Sequence, residues 1–316
     1  MSMQPLFLKP VFKERIWGGT ALKSDFNYNI PNENTGECWA ISAHPNGASI
    51  IENGPFAGIA LNELWKKQPE LFGHPKEKVF PLLTKILDAN MDLSVQVHPE
   101  DSYAKVNENG DLGKTECWYI LDCKEDAHMI FGHNAKTKED LISQIKEGEW
   151  SDLLRRVKIK PGDFFYVPSG TIHALCEGTL VLETQQSSDT TYRVYDYDRK
   201  DHEGNLRELH LNKAIDVTTV PHQETEVEFK TEEKENIKIN TFVDSDFFTV
   251  YKWDITGKAY LTYNDQYLLL TVINGNGKLI HSGEEYILSK GSNFIIPVGF
   301  GEFVLDGDCE IIVSHT

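Results

Sequence analysis

One spacing occurs twice in this chain and limits it more than any other feature. Gly162-x5-Pro168-x-Gly170-x2-His173 recurs as Gly291-x5-Pro297-x-Gly299-x2-Glu302, with a constant offset: 291 − 162 and 302 − 173 are both 129. In each copy a glycine turn leads into a short apolar run, Phe164–Val167 in the first and Phe294–Pro297 in the second, which a Pro-x-Gly turn then breaks. Proline and glycine on both sides of a short apolar run mark a β-strand between turns. A repeat of this kind signals two units of one β design. The copies differ at their last position, which is histidine in the first and glutamate in the second, so the chemistry is expected in the first unit.

The rest of the chain agrees with an all-β frame. Residues 1–60 are broken by Trp17-Gly18-Gly19, Asn32-Glu-Asn34, Pro45-Asn-Gly47 and Asn53-Gly-Pro55. In Leu93–His98, strict alternation sends Leu93, Val95 and Val97 to one face and Ser94, Gln96 and His98 to the other. Lys114, Glu116 and Trp118 alternate with Thr115, Cys117 and Tyr119 in the same way, and Val181, Glu183 and Gln185 share a face of a third run. Val79–Leu87 is apolar enough for a buried strand or helix. Helical spacing appears at Leu61–Phe72, and again after Thr137, whose hydroxyl and the acid three residues on form a helix start. That second helix is expected to carry Leu141, Ile145, Leu153, Leu154 and Val157 on the outside of the β unit. The acidic, poorly periodic residues 222–236 read as a linker or exposed edge. After Thr241 the chain returns to short strands at Phe247–Lys252, Tyr267–Ile273, Tyr286–Leu288, Phe294–Pro297 and Glu310–Ser314. We expect two domains: 1–238, with helical insertions at about 61–72 and 137–157, and a degenerate copy at 239–316.

Composition excludes several classes. A net charge of −18 and a pI near 5.0 argue against nucleic acid or an anionic membrane as partner, since either needs a basic face. An anionic ligand would therefore have to be drawn in by a few local cations. Five cysteines without CxxC spacing read as reduced thiols. The first fifteen residues lack the features of a secretory signal. The longest late apolar run, Tyr267–Ile273, is far short of the roughly 20 residues a bilayer requires. A cytoplasmic protein, monomeric or weakly dimeric, is expected.

Four residues could meet at one point. Gln96 and His98, two apart on a strand, share a face; Glu116 lies on another strand, and His173 follows the Pro-Gly turn. Two imidazoles, a carboxylate and an amide oxygen suit one divalent ion, zinc first, with manganese, iron or cobalt as alternatives.

The Gly162–His173 spacing resembles the second motif of the cupins, small jelly-roll barrels that hold a metal inside. The usual cupin spacing of two histidines and a nearby glutamate is absent. Gln96 stands at the first histidine position, and Glu116 lies 18 residues after His98. A narrower resemblance accommodates this. Gln-Val-His-Pro (96–99), Lys-Thr-Glu-x-Trp-Tyr (114–119), the Pro-Gly-Asp…His run (161–173) and Glu-Thr-Gln-Gln-Ser-Ser-Asp-Thr-Thr-Tyr-Arg (183–193) resemble the type I phosphomannose isomerases of the short bacterial kind, in the same order. Trp17-Gly18-Gly19 and Gly36-Glu37 join them.

The resemblance implies a mainly β fold, a cupin barrel with helical insertions and a second, degenerate barrel. It implies one zinc per chain on Gln96, His98, Glu116 and His173. Arg193 would be the active-site arginine, with Lys114 and Glu183 beside the reacting carbons and Asp189 and Trp17 near the substrate. The expected ligand is a sugar phosphate, and the expected reaction is the interconversion of mannose 6-phosphate and fructose 6-phosphate through a cis-enediolate. Such chemistry needs a cation beside the developing charge and a general base within reach of a carbon-bound proton. Glu183, Lys114 and a histidine are all able to act as the base, and a metal beside Lys114 would depress its pKa. Two other readings use the same residues: a cupin oxygenase built on two histidines and a carboxylate, and a non-catalytic sugar-binding regulator.

Overall fold

The computed structural model describes residues 3–201 and 203–316. Three antiparallel sheets account for its architecture. A seven-stranded sheet runs in the order Phe164–Val167, Glu116–Cys123, Thr179–Gln186, Leu82–Ala89, Thr35–His44 and Val11–Gly19, with Gly47–Ala48 paired to Thr35–His44. A five-stranded sheet runs Leu154–Lys158, His128–His133, His173–Leu175, Val95–Val97 and Tyr192–Tyr195. Side chains from both pack together: Trp118, Ile120 and Val181 from the first sheet meet Met129, Phe131 and Leu175 from the second. The two sheets are thus the walls of one barrel, as expected.

Alternation explains the layers. On Glu116–Cys123, Trp118 and Ile120 point into the barrel, while Cys117 and Tyr119 point out to the core shared with the C-terminal sheet. On the five-stranded sheet, Val95, Val97, Ala174 and Val194 face outward under helices Lys138–Glu147, Trp150–Leu153 and Leu211–Val217. Leu93 departs from the expected pattern. The regular strand begins only at Val95, and Leu93 turns into the barrel with Met129 and Val181.

The helical insertion is shorter than expected. Thr137 caps Lys138–Glu147 through its side chain, accepting from the Asp140 N–H, but the helices end at Leu153. Residues Leu154–Lys158 form an edge strand against His128–His133. A bulge between Leu154 and Arg156 puts Leu154 on the outer face and Val157 toward the barrel, so a three-residue apolar spacing that looks helical belongs to a bulged strand.

The C-terminal sheet has nine strands, and two come from the start of the chain: Leu6–Lys9 pairs with Asn293–Ile296 on one side and Ile50–Ile51 on the other. Lys230–Lys234 is its exposed, charged edge, one of the two expectations for this acidic stretch. The strands here are much longer than the sequence suggests: Thr249–Tyr263, Leu268–His281 and Gly301–His315. Gly257, Gly307 and Gly277 lie in one row across these three strands. A Cβ on Gly307 would come within 2.4 Å of the Gly277 Cα, so the row lets the strands approach closely and continue. The interior is filled by Leu268, Leu270, Phe294, Ile296, Phe303 and Leu305. Glu302, the counterpart of His173, faces solvent. Among the described residues no helix is long and apolar enough to cross a membrane.

Phe294 is fully buried and stacks on Phe7 of the N-terminal strand, with ring centroids 5.2 Å apart. Phe294→Ala should therefore lower the unfolding free energy by about 3–5 kcal/mol in urea titrations. A loss below about 1 kcal/mol would show that the C-terminal barrel does not depend on this contact.

Candidate active site

The turn at Pro168–Gly170 sets the site. Gly170 has φ +83°, its N–H donates to the His98 carbonyl at 2.8 Å, and its own carbonyl accepts from the Thr219 N–H at 2.9 Å. A Cβ there would meet the Thr219 Oγ1 at 2.5 Å, so the position requires glycine. His173 then begins a strand directly opposite Gln96, and Val167 lies opposite Glu116. Three residues expected to converge do so. His98, Glu116 and His173 are buried, and their ligand atoms all lie within 4.8 Å of one another. His173 Nε2 is 3.2 Å from Glu116 Oε1, and His98 Nε2 is 3.5 Å from Glu116 Oε2.

Backbone carbonyls orient both rings. His98 Nδ1 donates to the Thr190 carbonyl at 2.9 Å and His173 Nδ1 to the Thr171 carbonyl at 2.8 Å. A carbonyl can only accept, so each neutral ring keeps its proton on Nδ1 and turns the Nε2 lone pair toward Glu116. Both Glu116 oxygens are buried without a hydrogen-bond partner. Two lone pairs turned on a buried carboxylate that has Lys114 beside only one of its oxygens suit a further cation. Gln96 completes the group, its Nε2 lying 3.4 Å from His173 Nε2; a half-turn of the terminal amide would present Oε1 instead.

Lys114 sits 3.1 Å from both Glu116 Oε2 and His98 Nε2. Burial alone would lower its pKa, but the carboxylates of Glu116 and Glu183 outweigh it and hold the ammonium above its ordinary value. Burial, with the Lys114 charge next, keeps His98 well below the usual imidazole range and so neutral. Glu116 would be raised by burial, yet Lys114 and the two imidazoles hold it well below the carboxylate range.

A cavity of about 580 Å³ opens above this floor. Gln96, Lys114, Glu183, Asp189, Trp17 and Arg193 all line it. Glu183 is not paired with Lys114: its Oε2 accepts from Trp118 Nε1 at 3.0 Å, and its Oε1 lies 3.3 Å from Lys85 Nζ. Arg193 forms no ion pair with Asp189 or Asp196. Asp189 accepts from Asn46 Nδ2, and Asp196 is held by Arg199 and Arg207. The Arg193 Nε is buried and without a partner.

Sequence reasoning missed Lys85, Arg15, Arg207 and His210, which also line the cavity. Lys85 had a signal, since a lone charge between Leu83 and Leu87 in a wholly buried strand must face something polar. Arg207 and His210 had none, lying in aperiodic chain.

The comparisons with known proteins follow the same lines. A model of the type I phosphomannose isomerase catalytic domain matches residues 6–122, and one of the mannose-6-phosphate isomerase cupin domain matches residues 238–316. The "Probable mannose-6-phosphate isomerase GmuF" of Bacillus subtilis is 59% identical over 98% of this chain and 99% of its own length. The chain belongs to the type I phosphomannose isomerase family. "Mannose-6-phosphate isomerase ManA" of Bacillus subtilis is 57% identical, with both chains covered in full. A crystal structure of the mannose 6-phosphate isomerase from Bacillus subtilis superposes with a TM-score of 0.98 at 55% identity, covering 99% of this chain and 100% of that one.

In this family member the cavity wall carries a carboxylate that responds to acid. Glu37 is gripped by Arg15 through two hydrogen bonds, of 2.8 and 3.0 Å, and by Trp39 Nε1 at 2.7 Å. Burial would raise its pKa, but Lys85 and Arg15 outweigh that and bring it from 4.5 down to about 2. A carboxyl depressed on folding stabilises the protein above its unfolded pKa and loses that contribution as pH falls through the folded one. Stability should therefore drop between about pH 4.5 and pH 2, by up to roughly 3 kcal/mol from this group. Urea unfolding at several acidic pH values should show a shallower pH slope in Glu37→Gln than in the native chain; equal slopes would refute the assignment.

Proposed function

We propose that this chain is a metal-dependent aldose–ketose isomerase that interconverts mannose 6-phosphate and fructose 6-phosphate by proton transfer through a cis-enediolate. The observation that carries the reading is the buried Glu116 carboxylate, flanked by Lys114 and faced by two Nε2 lone pairs, beneath a cavity that also holds Glu183 and Arg193. The names of the relatives support the substrate.

Gln96, His98, Glu116 and His173 fit a divalent cation, and their nitrogen and oxygen donors favour zinc. A cation so held supplies positive charge beside the enediolate and keeps the sugar oxygens in register. The remaining chemistry belongs to side chains of the cavity. Glu183, fixed by Trp118 and Lys85, is the base that takes the proton from the carbon next to the carbonyl. Lys114, held protonated, donates to the oxygen on which charge develops. Arg193 adds a second fixed positive charge, and Asp189 and Trp17 bound the sugar.

The test is a coupled assay on protein whose metal content has been measured. Turnover of mannose 6-phosphate is expected, lost on chelation and restored by zinc. Product formed in heavy water should carry deuterium, because the proton passes through a base. Glu183→Gln should reduce kcat by about 10²–10⁴ with the metal retained. Metal-replete protein without turnover would overturn the reading.

A further inference from the structure

The basic wall at the mouth of the cavity is assembled by one stretch of chain, residues 196–210, and by what holds it in place. At one end Asp196 accepts from Arg199 Nη2 at 2.6 Å, from Arg207 Nε at 2.7 Å and from Arg207 Nη2 at 2.5 Å. At the other end the His210 N–H donates to the Arg193 carbonyl at 2.8 Å, while the Arg193 N–H donates to His210 Nδ1 at 3.1 Å. Between them Lys200 and Leu206 bridge, and Asp201 Oδ1 accepts the backbone N–H groups of Glu203 and Asn205 at 2.9 Å each. Arg207 and His210 are therefore placed by a clamped segment, and both reach the cavity.

The donors left over on this wall are specific ones. Arg15 has all three nitrogens engaged, Nε and Nη2 with Glu37 and Nη1 with the Glu14 carbonyl. Arg207 spends Nε and Nη2 on Asp196 and keeps Nη1. Because His210 Nδ1 accepts a hydrogen bond, the neutral ring carries its proton on Nε2, which lies 3.8 Å from the exposed Glu208 carboxylate. Arg193 adds its unpartnered Nε. Three guanidiniums line the wall, of Arg15, Arg193 and Arg207, and among the described residues the carboxylates bonded to them are Glu37 and Asp196, the latter shared with Arg199. Glu14 and Asp201 also line the cavity, but Glu14 accepts from Asn32, and Asp201 closes its own turn. An excess of planar, forked donors suits a phosphate monoester, whose oxygens accept several charge-assisted bonds at once.

Position supports the same ligand. Gln96 and Arg193 are paired across strands, so the wall begins one strand over from the floor where His98, Glu116 and His173 meet. The floor is buried, whereas Arg193, Arg207 and His210 are half-buried. A hexose phosphate entering with its carbonyl end toward the floor leaves its phosphate at this wall.

We propose that Arg207, through Nη1, and His210, through Nε2–H, bind the phosphate group of the substrate. The identity of the ester rests on the isomerase reading; the anion site itself does not. The probe is a hexitol 6-phosphate, which lacks a carbonyl and cannot react, with inorganic phosphate alongside, titrated calorimetrically into the metal-loaded protein. Arg207→Lys keeps a cation for Asp196 but loses the fork. His210→Asn keeps an acceptor at the Nδ1 position but loses the Nε2 donor, and His210→Gln does the reverse.

Arg207→Lys and His210→Asn should each weaken the hexitol phosphate by about tenfold or more, as loss of one charge-assisted bond implies. In turnover the same variants should raise KM with kcat nearly unchanged, and His210→Gln should bind within about threefold of the native chain. Affinities of both variants within about twofold of native would overturn the assignment. If either variant is unfolded in a thermal melt, the His210 imidazole resonance of the native chain decides: it should shift on titration with inorganic phosphate, and no shift would overturn the site. Binding of the hexitol phosphate without turnover of mannose 6-phosphate would sink the isomerase reading and leave the anion site standing. Turnover together with native affinity in the variants would sink the anion site alone.

Discussion

A carboxylate buried at the floor of the first barrel, with one ammonium beside it and two imidazoles turned toward it, sets the terms for everything around it. An ionised carboxyl so placed costs several kcal/mol unless a positive charge repays the lost hydration. Lys114 supplies one such charge to Glu116. The two imidazoles commit their Nδ1 protons to the Thr190 and Thr171 carbonyls and turn Nε2 toward it. The loops that supply those carbonyls are therefore part of the site. So is Gly170, which ties the His98 backbone to the turn before His173 and lets Thr219 lie against it. Stability alone would favour filling such a pocket with apolar side chains.

The second barrel has done that. It repeats the strand–turn signature of the first, but its interior is Leu268, Phe294, Phe303 and their neighbours, and Glu302 has turned out to solvent. The comparison separates what the design needs for folding from what the first barrel keeps for chemistry. The filled barrel also receives the N-terminal strand Leu6–Lys9, and Ile41, Leu82 and Tyr119 on the outside of the first barrel pack against Val250, Leu269 and Ile312. The well-packed unit thereby supports the wall from which Glu116 and Trp118 project inward.

The floor of the site was legible in the sequence because strands encode facing in a period of two. Gln96 with His98, and Lys114 with Glu116, read correctly for that reason, and the glycine turn marked His173. Legibility failed where the period was interrupted. The bulge after Leu154 imitated a helical spacing, and the strands that carry the glycine row at 257, 277 and 307 run on well past the short ones expected. It also failed where position depends on distant partners. Nothing around Arg207 announces a cavity; Asp196 and the backbone of Arg193 bring its segment there. Pairing was likewise invisible, and Glu183 found Lys85, not Lys114, because their strands are neighbours with Glu183 and Lys85 in register.

That last pairing bears on how the cavity can work. Two acid–base groups joined in one ion pair would titrate together, each protonation change opposed by the other partner. Here Lys114 is matched by Glu116, and Glu183 by Lys85 and the Trp118 N–H. Each candidate catalytic group thus has its own bonded counterpart, while the Glu183 charge still reaches Lys114 through space. In the proposed reaction Glu183 gains a proton as charge appears on the substrate oxygen near Lys114, and the two changes are matched locally. A chain carrying −18 overall can then present a dianionic sugar phosphate with fixed positive charge at both ends of one cavity: Lys114 and the cation-binding cluster at the floor, and the arginines at the mouth.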